Sequence, residues 1–371
     1  MNNDFNCNFR VKGPVFIVGT ERSGSNLLRV ILNSHPDIYI PHPPHIMKDL
    51  GPLEHLYGDL KDDRNFRRLI NDAAKLIELH FFPWEIAPSR PGAFDQAAAR
   101  NLYCVKAAFY EQYRLFKGAK RWGCKSTFMV HYADLAVKHS PGAKFIHLVR
   151  DGRDVAVSAK NSVFNHFHPY YVARLWSLEQ KLAAGLSNRL GKEGLLTVRY
   201  EDLTSEPERT VKAICGFLEE DYSGRLLRYF ETEETKQLAG YSRSWGNCAK
   251  PILKDNSGKY KKSLSAGEIR IFETESFPEL EQFGYPLDNP RAGLLKTASA
   301  PAPPARRARY FLREKGRMAY ILLRSLFTDR NASAMLKKRV FLGWVGLKIR
   351  IIKPYEASDT GFRRDDQAPR A

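Results

Sequence analysis

The chain has 371 residues, 43% hydrophobic and 27% charged, a composition that fits a folded globular protein and excludes a disordered or fibrous one. Its formal net charge is +18, and the excess is uneven: residues 301–371 hold 17 Lys and Arg against 6 Asp and Glu, which leaves +7 for the first 300 residues. A moderately basic domain with a basic tail suits an anionic ligand, and with no DNA- or RNA-binding motif in the domain, nucleic acid is not the expected partner.

Cys7, Cys104, Cys124, Cys215 and Cys248 are odd in number, widely spaced and without a C-x-x-C pair. That pattern speaks against a disulfide framework or a zinc site and for a reducing compartment. The opening "MNNDFNCNFRVKG" has no apolar h-region, so the sequence reads as cytoplasmic, without signal peptide or anchor.

The first clear element is "VFIV" at 15–18, an apolar run of the kind that forms a buried parallel strand. A glycine loop follows. Leu27, Leu28, Ile31 and Leu32 then recur at helical spacing, which predicts a helix from about Ser25 to Asn33. Residues 50–120 and 165–190 read as mostly helical. "RWGCK" at 121–125, "KFIHLV" at 144–149 and "LLTVRY" at 195–200 read as further strands, the last two followed by helices from about Asp154 and from Pro207 to Leu218. Ser265 and Glu268 form a capping box, and "FGYPLDNPR" at 283–291 reads as a domain end. The expected class is α/β: a P-loop-like parallel sheet flanked by helices, occupying 14–290. A Pro/Ala-rich basic linker at 291–309 and a basic amphipathic helical extension at 310–371 complete the chain. Gly19, Arg150 and Tyr200 all fall at strand ends, where such sheets bind ligands.

The loop Gly19-Thr20-Glu21-Arg22-Ser23-Gly24 has the span of a phosphate-binding loop. Ser25 stands where the loop lysine belongs, and Asn26 where the metal-holding Ser or Thr belongs. Backbone N–H groups at a helix start attract an anion whatever the side chains. Without that lysine and hydroxyl, metal-dependent hydrolysis of ATP or GTP is disfavoured, and no metal is expected. Arg22 supplies a cation that can fork onto an anionic oxygen. In "KFIHLVRDGRDVAVSAKNS", Arg150 at a strand end and Ser158 in the next helix can jointly hold a second phosphate, while the acids of "DGRD" read as helix caps.

Together these segments resemble the sulfotransferases that use 3′-phosphoadenosine 5′-phosphosulfate (PAPS). "ERSGSNLLRVILNSHPD" is similar to that family's 5′-phosphosulfate loop, and "RDGRDVAVS" to its 3′-phosphate motif. "TVRYEDL" at 197–203 and "NSGKYKKSLSAGEI" at 256–269 follow in the family's order, and the likeness is greatest to bacterial and tyrosylprotein-type members. The resemblance implies PAPS as donor, with Arg22 at the transferring sulfonate. Ser23, Gly24, Ser25 and Asn26 would cradle the 5′-phosphate, Arg150 and Ser158 would hold the 3′-phosphate, and Tyr200 would lie near the adenine. It further implies Lys125 at the reacting group, Lys259 at the 3′-phosphate and Ser244 at the sulfonate.

Transfer to a hydroxyl also needs a proton acceptor. Many relatives place a Glu shortly after H-P-D, where this chain has Pro43 in "HPDIYIPHPPHIMKDL". His42 is therefore the expected base and His45 the next candidate, because histidine titrates near neutrality; His35 reads as structural. The acceptor itself is not legible. The extension could lie on an anionic membrane, peripherally at its inner surface, pack on the domain, or grip an acidic polymer. Two other readings stay open: a nucleotide-binding scaffold without catalysis, and a P-loop-like phosphotransferase.

Overall fold

A computed structural model of the chain describes residues 12–160, 166–241, 243–254, 256–299, 303–328 and 332–351. Five strands form the sheet: β1 (Val15–Gly19), β2 (Ile38–Tyr39), β3 (Arg121–Cys124), β4 (Lys144–Val149) and β5 (Leu195–Arg199). Their order is β2-β3-β1-β4-β5 and every pairing is parallel. The chain leaves β1 toward β2 and β3, whereas β4 leads to β5 on the other side. The crevice at the carboxyl ends of β1 and β4 is thus a topological switch point.

Alternation along β1 explains why this strand sits at the centre. Phe16 and Val18 face one core, Val15 and Ile17 the other, and all four are fully buried. Below one face lie Phe66, Leu69, Ile70 and Ala73 of the Asp63–Glu78 helix and Tyr103, Phe109 and Tyr110 of the Leu102–Lys117 helix. The other face is covered by Leu28, Ile31 and Leu32 of the Ser25–Asn33 helix and by Val211, Ile214 and Leu218 of the Pro207–Leu218 helix. Both of these helices have the bounds that their periodicity predicts. β2, only two residues long, has no sequence signal of its own. The capping box at Ser265 and Glu268 opens the Ala266–Gln282 helix.

Beyond residue 290 the chain is more helical than its composition suggests. Arg291–Ala298, inside the expected linker, is a helix with Leu294 buried. The Pro304–Thr328 helix is tied to the domain by Glu314, 4% exposed, whose carboxylate accepts from the backbone N–H of Phe167 and His168 and pairs with His166. The Ala332–Ile351 helix returns to the domain. Val345 is fully buried in the core, a burial worth roughly 1.5–3 kcal/mol. Lys338 pairs with Asp49 at 2.6 Å and donates to the Pro44 carbonyl at 3.1 Å.

Candidate active site

Each of three strands delivers its next residue to the switch-point crevice: Lys125 after β3, Arg150 after β4 and Tyr200 after β5. The loop after β1 enters the same space. A cavity of about 810 Å³ fills it. Every residue expected at the site lines this cavity except two. Ser23 is buried, and the side chain of Ser244 lies outside the described residues.

The loop is built for a close anion. Gly24 caps the Ser25–Asn33 helix at φ 93°, with no side chain capping that end and no acid in the first turn. The N–H groups of that turn therefore remain for an anion. A Cβ on Gly24 would stand 2.3 Å from the Tyr200 ring, so both conformation and space call for glycine. Arg22 takes φ 76°, a left-handed conformation uncommon outside glycine. That turn directs its guanidinium into the cavity, where Nε donates to Ser158 Oγ at 3.0 Å. Burial, with Arg150 nearby, lowers the Arg22 pKa from its ordinary value.

The second cation is held across the loop. Arg150 Nη1 donates to the Arg22 carbonyl at 3.3 Å and Nη2 to the Asn256 carbonyl at 2.7 Å. Its guanidinium carbon lies 4.4 Å from the centroid of the Tyr200 ring, which Arg150 and Gly24 thus both adjoin. Asn256 Nδ2 donates to the Tyr200 hydroxyl at 2.5 Å. Ser158 meets Arg22, not Arg150, in this arrangement. Ser23 Oγ and Arg150 Nε are buried with no hydrogen-bond partner among the described residues, as befits groups that await an anionic ligand.

The acids of "DGRD" divide the work. Asp151 accepts from the Arg153 backbone N–H at 2.9 Å and holds the Arg153 guanidinium on both oxygens. Asp154 does not cap its helix. Its oxygens accept from the backbone N–H of Gly258 at 2.7 Å and of Tyr260 at 2.8 Å. Asp154 therefore fixes the turn that presents exposed Lys259 at the cavity. This role has no local signal, because its partners lie a hundred residues away.

The opposite wall comes from the proline-flanked segment. His42 is 4% exposed, and its backbone carbonyl accepts from Trp84 Nε1 at 3.1 Å. Its Nδ1 lies 3.3 Å from His80 Nε2, while its own Nε2 has no partner among the described residues. The ring packs on Trp245, centroids 4.7 Å apart, and on Phe81 at 5.6 Å. His45 has φ 62° and sets Nδ1 3.4 Å from Ser126 Oγ. Burial pushes both histidines well below the usual imidazole range. It also pushes Lys125 down to about 7, helped by Arg29 and Arg22. His35, by contrast, accepts from the Asp37 N–H on Nδ1 and meets the Asp221 carbonyl on Nε2, which is a structural role.

His80, Phe81 and Trp245 were not apparent as site residues in the sequence, nor was the cavity's outer wall. Ala334, Met335, Lys338, Arg339 and Leu342 of the Ala332–Ile351 helix line the cavity, so the basic extension helps enclose it.

A model described as "Sulfotransferase family" matches residues 14–224, more than half of the chain. Protein-tyrosine sulfotransferase A of Caenorhabditis elegans is 22% identical over 287 residues, 74% of this chain and 68% of that protein. The Drosophila melanogaster protein-tyrosine sulfotransferase is 23% identical over 285 residues, covering 74% of this chain and 52% of its own length. Among solved structures, the sulfotransferase domain of the Synechococcus PCC 7002 olefin synthase aligns with a TM-score of 0.47 at 23% identity, covering 71% of this chain and 95% of that domain. The family match spans the anion loop, both arginines and β1 to β5, and on it the chain belongs to the sulfotransferase family.

Proposed function

We propose that this chain moves a sulfuryl group from PAPS to an acceptor hydroxyl. The observation that carries the reading is the contact between the two anion-binding segments. Arg150 reaches the Arg22 carbonyl, Arg22 reaches Ser158, and the Tyr200 ring adjoins both Gly24 and Arg150. A ligand with two anionic groups on one ribose, beside an aromatic base, matches that arrangement of charge and ring. ATP and ADP carry their phosphates on one end only.

PAPS would supply an activated sulfuryl group whose leaving group is the 5′-phosphate. The Ser25–Asn33 helix start and Ser23 would hold that phosphate, and Arg150, Ser158 and Lys259 the 3′-phosphate. Arg22 and Lys125 would face the sulfonate oxygens, where fixed cations stabilise charge as it redistributes. With positioning and charge as the main demands, the transfer needs no metal from this chain's loop.

Hydrogen bonding favours His42 over His45 as the proton acceptor. His80 Nδ1 lies 2.8 Å from the Phe82 carbonyl oxygen, which only accepts, so Nδ1 carries the proton there; the Phe82 N–H at 3.2 Å is the longer contact. Burial pushes His80 down to about 3 and keeps it neutral, which leaves its Nε2 bare. His42 Nδ1 then donates to it, which leaves His42 Nε2, buried and without a partner among the described residues, with a free lone pair on a residue that lines the cavity. The depressed pKa keeps this ring unprotonated at neutral pH at some loss of basicity. An anionic donor beside Lys125 would restore part of it.

The test is incubation of the pure protein with PAPS and a panel of hydroxyl acceptors, following the release of 3′-phosphoadenosine 5′-phosphate (PAP) and the mass of the acceptor. Transfer in the presence of a chelator supports the reading. Absence of transfer with intact PAP binding would favour the scaffold alternative.

A further inference from the structure

The Ala332–Ile351 helix has two apolar faces. Met335, Leu342 and Val345 point into the cavity or the core. Leu336, Val340, Trp344 and Leu347 fall within one arc on the opposite side, at helical spacing of about 100° per residue. These four are 49%, 64%, 53% and 58% exposed. Lys337 and Lys348 flank the row on one side and Arg339 on the other, and Lys348 Nζ sits 4.6 Å from the Trp344 ring. The helix contains no acid. The neighbouring Pro304–Thr328 helix exposes Leu312 and Leu323, and its one acid, Glu314, is buried against residues 166–168. No helix among the described residues is long and apolar enough to cross a membrane.

We propose that the outer face of the Ala332–Ile351 helix docks on an anionic lipid bilayer, with Leu336, Val340, Trp344 and Leu347 in the headgroup–acyl boundary and Lys337 and Lys348 on lipid phosphates. Charge and apolarity together select this occupant. A soluble polyanion would match the cations yet leave the apolar row in water. A second copy of this chain would bring like charge against like. A bilayer surface rich in anionic lipid satisfies both features at once. Because the inner face of the same helix walls the cavity, docking sets the cavity about one helix diameter, roughly 10 Å, from the lipid.

Flotation of the full chain with phosphatidylcholine vesicles, with and without phosphatidylglycerol, tests the proposal. The protein is expected to float with the anionic vesicles and to stay behind with the neutral ones. Leu336→Ser, Val340→Ser and Trp344→Ser combined should weaken that partition at least tenfold, and Lys337→Glu with Lys348→Glu should do likewise. All five positions lie outside the cavity lining, so melting temperature and PAP affinity should not change in either variant. Vesicle binding is read without donor or acceptor, so its failure is separable from failure of the sulfotransferase reading. The proposal is overturned if the wild type ignores anionic vesicles, or if the serine variant binds them undiminished. It is equally overturned if the wild type is a dimer that the serine variant converts to monomer, or if the serine variant loses dextran sulfate binding in the same measure as vesicles.

Discussion

The proposed donor half of the crevice is made of residues that directly follow strands: the loop after β1, Arg150 after β4 and Tyr200 after β5. The proposed acceptor half is gathered from His42, His80, Trp245 and a helix that begins at residue 332. A parallel sheet fixes the first set to its own geometry, so a ligand meets preformed cations and a preformed helix start. The second set is held by side-chain contacts between distant segments, such as the Lys338–Asp49 pair and the His42–His80 contact. On the proposed reading, donor recognition is tied to the fold, and acceptor recognition can change without disturbing it.

Substitutions should separate the two halves, and the largest effect is expected in the acceptor half. His42→Ala should lower kcat by about 10²–10⁴, the usual contribution of a general base, with PAP affinity unchanged in calorimetry. His45→Ala should cost far less; the reverse ranking would transfer the role to His45. Because burial lowers the His42 pKa, the acid limb of the pH–rate profile should lie below the ordinary imidazole value near 6.5. A limb at or above that value would argue against this base.

In the donor half, Gly24→Ala forces a Cβ against Tyr200 in a left-handed conformation. Overpacking of this kind costs about 1–3 kcal/mol. It should appear as a lower melting temperature and a weaker grip on PAP, and an Ala variant with unchanged PAP affinity would contradict the close approach.

Lys125 links the halves by a proton. Its free-state pKa of about 7 must rise when an anion sits beside it, since the anion favours the charged amine. PAP binding above pH 7 should then take up a proton, visible as a buffer-dependent enthalpy that vanishes in Lys125→Met. The smallest effect is expected at Lys338→Ala. Loss of its pair with Asp49 should raise the acceptor KM a few-fold, in keeping with about 1 kcal/mol for a partly exposed pair, with no change in PAP affinity.

These halves also differ in how far they could be read from sequence. β1, β4 and the Ser25–Asn33 helix announce themselves by apolar runs and spacing, and the anion loop lies between two of them, so its place at a strand end follows from local pattern alone. Asp154 does not: its partners are the N–H groups of Gly258 and Tyr260, and nothing near residue 154 encodes them. His80 is a single histidine after a helix until the fold sets it against His42. The two-residue β2 has too few residues for periodicity to register. The Ala332–Ile351 helix reads as basic and apolar, yet which face meets the cavity depends on Val345 finding the core.

The most direct test of the central claim is calorimetry of PAP, ADP and ATP with the wild type and with Arg150→Ala. A ligand anionic at both ends should bind at least tenfold more tightly than ADP. Removing Arg150, at about 1.5–3 kcal/mol for hydrogen bonds to a charged group, should erase most of that preference while ADP changes little. Equal affinity for PAP and ADP in the wild type, or a preference that survives in Arg150→Ala, would contradict it.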